Sequence, residues 1–204
     1  MRDLGKALGD IAAIRDQMAQ TSQFRGYGPT TLAATAALAV SAAVVQARYI
    51  PDPANDVTAY LALWIATAAL SVALIGVEVV TRSRRIHSGL ADEMIRLAAE
   101  KQLPAIAAGA LLTAVLARTA PHTLWLLPGL WQILLSLGMF AASSSVPRPL
   151  IAVGFWYMAS GLTCIALANG GHAFSPLAMG VPFGLGQLLA AALLRRVEGS
   201  DEEN

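Results

Sequence analysis

The chain has 204 residues, of which 56% are apolar and only 13% charged, and its mean hydropathy is +0.57. So little polar surface excludes an ordinary soluble domain and is typical of a polytopic membrane protein. The formal net charge is +1, and the absence of a basic stripe interleaved with aromatic residues argues against a nucleic-acid partner.

The first segment, residues 1–25, carries apolar residues at helical spacing, with most of its charged residues on the other side. This pattern predicts an amphipathic helix at the cytoplasmic surface. Because the charges are spread through the segment rather than grouped ahead of an apolar run, we expect no cleaved signal peptide.

Six apolar stretches follow within residues 26–196, each close to the roughly 20 residues that a helix needs to cross ~30 Å of hydrocarbon. We predict spans at about 30–47, 57–80, 103–120, 124–142, 150–168 and 177–194. A second cytoplasmic amphipathic helix is predicted at about 84–101, between the second and third spans. The acidic tail, residues 197–204, is predicted to be disordered.

The predicted topology places positive charge mainly on one side of the membrane. Of the 14 Lys and Arg residues, all except Arg48 and Arg118 lie on that side. Flanking positive charge resists translocation, so both termini are predicted to be cytoplasmic. The predicted fold class is therefore all-α, a polytopic bundle of six transmembrane helices. We expect it in a bacterial-type inner membrane, with both termini inside and two cytoplasmic amphipathic helices.

The basic side also predicts where the protein makes its contacts. Its candidate contact residues are three arginines and three apolar residues that follow them: Arg82, Arg84, Arg85, Leu90, Met94 and Leu97. We expect anionic lipid headgroups there, and a protein partner or a second copy of the chain as further candidates. Glu78, the acidic residue within the second span, lies four residues before Arg82. This spacing favours a salt-bridged anchor over a proton relay.

Two glutamines, Gln132 and Gln187, fall near the middle of the fourth and sixth spans. An amide in hydrocarbon needs hydrogen-bond partners. The two side chains therefore either bond neighbouring helices or, if they converge, line a site for a small neutral solute. Pro182 and Gly184 interrupt the sixth span just before Gln187, as in the broken helices where transporters bind substrates.

The same break has a second interpretation, because Gly180 and Gly184 have the spacing of a small-residue packing face. Both interpretations stay open on the sequence. The candidate ligand-binding residues of a small permease or channel-like protein are Gln132, Gln187 and Gly184.

An enzyme or a haem or metal protein is a further alternative, although the sequence contains no catalytic motif and we expect no cofactor. His122 and His172 lie in two outer loops and are weak metal candidates. They have no Cys or carboxylate cluster beside them and no His partner at i,i+4. The single cysteine, Cys164, lies in the fifth span and is predicted to be a small packing residue.

The last two spans contain the sequences FWYMASG, at 155–161, and SPLAMGVPFG, at 175–184. These stretches resemble a pattern in uncharacterised bacterial six-span inner-membrane proteins. The resemblance is limited to the last two spans. It implies a regulatory setting, since such proteins often sit beside winged-helix regulators, and it assigns no functional residue. Our leading hypothesis is a non-enzymatic integral membrane protein that acts in sensing or regulation.

Overall fold

A computed structural model describes residues 27–86, 91–143, 146–168 and 172–202 of the chain, and within these ranges it contains helices and turns but no strand. The helices are α1 (Pro29–Tyr49), α2 (Val57–Ile86), α3 (Ala91–Thr119), α4 (Leu127–Ala141), α5 (Ile151–Ala166) and α6 (Pro176–Glu202), with short 3-10 helices at Pro121–Leu126 and Arg148–Leu150. The described residues form six helical segments that are long and apolar enough to cross a membrane. The predicted all-α bundle of membrane-spanning helices is confirmed.

Local sequence explains where several helices begin. Pro29 opens α1 and Pro176 opens α6, because the first turn of a helix does not use the N–H that proline lacks. The Leu177 N–H donates to Ser175 Oγ over 3.3 Å, and the Ala59 N–H donates to Asp56 Oδ1 over 3.1 Å. These side chains cap the starts of α6 and α2.

The bundle has a packed centre and two peripheral helices. Helix α1 packs mainly against α6, and α4 packs mainly against α5. Helices α2 and α3 lie at the periphery, since only 6% of each span is buried inside the protein, against 28–44% for the others. Their exposed apolar side chains need no cover from protein, because lipid tails are as apolar as they are.

Glycines allow the central helices to approach closely. A Cβ atom built on Gly161 of α5 would lie 2.7 Å from the Gly129 carbonyl oxygen of α4, so a larger residue would push the two helices apart. On α6, a Cβ atom at Gly180 would lie 2.5 Å from the Cβ atom of Ala43 in α1. The small-residue spacing of the sixth span therefore packs α6 against α1.

The structure differs from the predicted boundaries in two places. Residues 91–101, predicted as part of a separate surface helix, are the first turns of α3, which runs unbroken through Pro104. Proline removes only the bond to the Glu100 carbonyl, and Glu100 is exposed, so water can hydrate that group. The tail predicted to be disordered is helical as far as Glu202. The predicted amphipathic helix at 1–25 lies outside the described residues.

Candidate functional site: the polar interior and the arginine-rich end

Helix α6 runs unbroken through Pro182, and side chains from two neighbouring helices bond its backbone around the proline. Because Pro182 has no N–H, the Ala178 carbonyl four residues earlier has no helical partner. Gln132 Nε2 of α4 donates to this carbonyl over 2.9 Å, and Cys164 Sγ of α5 lies 3.4 Å from it. Trp156 Nε1, also on α5, donates to the Pro182 carbonyl over 2.9 Å. The predicted interruption of the sixth span is therefore wrong, and the backbone around Pro182 is a contact between helices.

Gln132 is the centre of this contact. Its side chain is fully buried, and Nε2 also donates to the Pro128 carbonyl of its own helix over 3.1 Å. Within the described ranges, its Oε1 atom has no hydrogen-bond partner. The N–H donors of the Gln132 amide thus bond the backbone of α4 and α6. This arrangement fits the first interpretation of Gln132, in which the side chain bonds neighbouring helices.

Gln187 lies in a different environment, beside a groove between α1, α2 and α6. This groove, of about 50 Å³, is lined by Thr35, Ala39, Trp64, Thr67, Ala68, Ser71, Phe183 and Gln187. Gln187 is nine residues along α6 from Ala178, the residue that Gln132 contacts, and nine residues correspond to about 13 Å of helix. The structure therefore does not bring the two glutamines together. Gly184 faces α1 instead, where a Cβ atom would lie 3.1 Å from Val40 Cγ2.

Hydroxyl groups give the groove its remaining polar surface. Thr35, Thr67 and Ser71 each donate to a backbone carbonyl three or four residues earlier, over 2.8–2.9 Å. These bonds use the hydroxyl hydrogens but leave lone pairs on the oxygens. The rest of the lining is alanine and aromatic rings, so the groove is mainly apolar.

A third glutamine, Gln46, was missed by the sequence analysis. It is fully buried in the last turn of α1, where Nε2 donates to the Phe174 carbonyl over 2.6 Å and Oε1 accepts the Trp64 indole N–H over 2.8 Å. It thereby joins α1, α2 and the turn before α6. Gln46 stands near the predicted end of a span, where polar residues normally meet water. The sequence feature that could have predicted this contact is Trp64 in the next helix, because its indole N–H also needs an acceptor.

Eight of the ten described Lys and Arg residues lie at one end of the bundle, because consecutive helices alternate in direction. This arginine-rich end comprises Arg82, Arg84, Arg85, Arg96, Lys101, Arg148, Arg195 and Arg196. Arg48 and Arg118 lie at the other end. The charge asymmetry expected from the sequence is thus a property of the folded bundle.

An ion pair connects two helices at the arginine-rich end. Arg82 of α2 pairs with Glu198 of α6. The Glu78 carboxylate lies beside Gly28, the residue before α1, where a Cβ atom would overlap it. Arg82 was predicted to pair with Glu78 of its own helix, whereas this pair links separate helices.

The other predicted contact residues differ in exposure. Arg84 and Arg85 are exposed to solvent. Leu97 is half-buried. Burial raises the pKa of the Tyr27 phenol above its ordinary value. Leu90 and the side chain of Met94 lie outside the described residues.

His122 and His172 are both exposed, at the end of the bundle opposite the arginine-rich end. In the part of the chain that the structure describes, no three or more His, Cys, Asp or Glu side chains are grouped closely enough to hold a metal ion. Among these described residues, neither histidine has beside it the two or three further ligands that a protein metal site uses.

Comparisons of the chain with protein-family models, with curated proteins and with solved structures give no match. The class of the protein follows from its own architecture. Six apolar helices, polar groups bonded to the backbone of neighbouring helices and lipid-compatible outer faces define a membrane-integral α-helical bundle.

Proposed function

We propose that this chain is a non-enzymatic integral protein of a bacterial-type inner membrane whose arginine-rich end faces the cytoplasm. There it contacts anionic lipid headgroups and, in a sensing or regulatory role, a protein partner. The observation that carries the proposal is the eight-to-two division of positive charge between the two ends. Such charge is retained on the cytoplasmic side during insertion, and the cytoplasmic leaflet is the anionic one.

The orientation is testable by cysteine labelling in intact cells. In a Cys164→Ala background, Gly199→Cys marks the arginine-rich end at a position with open space around it, and Ala54→Cys marks an exposed turn at the other end. A membrane-impermeant maleimide added outside should label Ala54→Cys at once and Gly199→Cys only after the membrane is permeabilised. The reverse pattern would overturn the proposal.

A small permease is the second candidate, and the groove beside Gln187 is the observation that favours it. On our leading proposal, glycerol should enter proteoliposomes that contain the protein no faster than protein-free liposomes, as measured by light scattering. Faster uptake that Gln187→Leu abolishes would favour the permease instead, provided that Ala66→Leu, an exposed position at similar depth on α2, leaves the uptake unchanged.

A further inference from the structure

The ion pair at the arginine-rich end sets the relative position of two more arginines. Arg82 and Glu198 hold the C-terminal turns of α2 and α6 at one level. Arg85 lies three residues after Arg82, and Arg195 lies three residues before Glu198. Because residues three apart share a helix face, Arg85 and Arg195 lie on the same sides of α2 and α6 as the ion pair, and they are about 9 Å apart along the helix axes.

Two other arginines occupy the far sides of the same helices. Arg84 and Arg196 are each two residues from a member of the ion pair, and two residues correspond to about 200° of rotation around a helix. All four arginines are exposed. The chain thus offers a near pair, Arg85 and Arg195, and a far pair, Arg84 and Arg196, with equal charge.

The groove lies on the same two helices, deeper in the bundle. Ser71 and Gln187 line it from α2 and α6, and each is 11 residues before its own member of the ion pair. Eleven residues span about 16 Å of helix, close to half of the ~30 Å hydrocarbon thickness. When the arginines lie at the headgroups, the groove therefore lies near the middle of the membrane.

The chemistry of these two regions fits one kind of molecule. Exposed guanidinium groups form strong charge-assisted hydrogen bonds with phosphate oxygens. The groove is lined mainly by the apolar surfaces of Ala39, Trp64, Ala68 and Phe183, and about 50 Å³ is room for part of a hydrocarbon chain but not for a headgroup. A ligand with an anionic phosphate and a hydrocarbon chain long enough to reach the midplane would occupy both.

We propose that one anionic phospholipid binds between α2 and α6, with its phosphate at Arg85 and Arg195 and an acyl chain in the groove. Of the carboxylates that the structure describes on α2 and α6 near these arginines, Glu198 is paired with Arg82 and Glu78 lies beside Gly28. This inference rests on the proposed function in one respect, namely that the arginine-rich end lies at a membrane surface.

The contact between the lipid headgroup and the near pair is tested by counting the lipids that stay bound to the purified protein. The full chain in nonionic detergent is mixed with phosphatidylglycerol or phosphatidylcholine, and bound lipids are counted by native mass spectrometry. We expect one phosphatidylglycerol per chain. The double variant Arg85→Ala/Arg195→Ala should bind it about tenfold more weakly, which corresponds to 1.4 kcal/mol. The control, Arg84→Ala/Arg196→Ala, should change the affinity less than about twofold, because surface charges away from the contact matter little.

The acyl chain is tested separately at the groove. Ala68→Phe fills the groove and should displace the lipid, whereas Ala66→Phe, exposed at similar depth but outside the groove, should not. Equal losses of phosphatidylglycerol affinity in the near-pair and far-pair variants would overturn the site. It would also be overturned if inorganic phosphate displaced the bound lipid and Ala68→Phe did not. Thermal unfolding of each variant separates loss of binding from loss of fold.

The two proposals fail in different ways. The lipid count is made in detergent and does not depend on which side of the membrane the arginines occupy. Labelling of Gly199→Cys from outside would overturn the proposed function but would not contradict the lipid site. Absence of bound phosphatidylglycerol in the wild-type protein would overturn the lipid site alone.

Discussion

Replacing Gln132 by leucine should lower the free energy of unfolding by about 2 kcal/mol, the range expected when a buried carbonyl loses its partner. Hydrogen bonds between membrane helices average only ~0.6 kcal/mol, because the separated helices find other partners. The Ala178 carbonyl is a special case, since Pro182 has removed its helical donor. Leucine keeps most of the glutamine volume, so the loss should come from the missing hydrogen bond.

A double-mutant cycle with Pro182→Ala tests this explanation. Alanine restores an N–H at position 182, which can donate to the Ala178 carbonyl within α6. In the Pro182→Ala background, Gln132→Leu should cost less than about 1 kcal/mol, the size of an ordinary contact of this kind. Both costs are measured by reversible SDS unfolding in mixed micelles, followed by circular dichroism. An equal cost in both backgrounds would show that Gln132 does not compensate for the proline.

The sequence was sufficient to predict the six helices because each span is a long apolar run separated from the next by charged or turn residues. The division of positive charge was predictable for the same reason, since helices that alternate in direction send every second connection to the same side. The boundaries at Pro104 and after residue 196 were less predictable. A proline has a low cost where water can hydrate the freed carbonyl, and a polar segment can continue a helix whose preceding turns are fixed by the bundle.

The partners of the polar residues could not be predicted, because a sequence indicates how deep a residue lies but not which helix it faces. Gln132 and Gln187 have equivalent positions in their spans, yet one bonds the backbone of a neighbouring helix and the other borders a groove. That difference depends on the rotation of each helix about its axis. The rotation is set by packing contacts such as those of Gly161 and Gly180.

Replacing Gln46 by leucine should lower the free energy of unfolding by about 3 kcal/mol, because two buried groups lose their partners at once. One is the Trp64 indole N–H, and the other is the Phe174 carbonyl. Since Gln46 joins α1 and α2 to the turn before α6, we also expect this end of the bundle to open locally. Hydrogen exchange of the backbone amides of residues 172–178 should become faster, while exchange at the arginine-rich end stays unchanged.

Trp64→Phe provides the matched control for Gln46→Leu. It removes the indole donor but keeps an aromatic ring and leaves the bond from Gln46 to the Phe174 carbonyl intact. In the Trp64→Phe background, Gln46→Leu should cost about 1 kcal/mol less than in the wild type, because the indole is no longer left without an acceptor. Additive effects of the two substitutions would contradict the bond between them. Faster exchange spread over all six helices would contradict the local role assigned to Gln46.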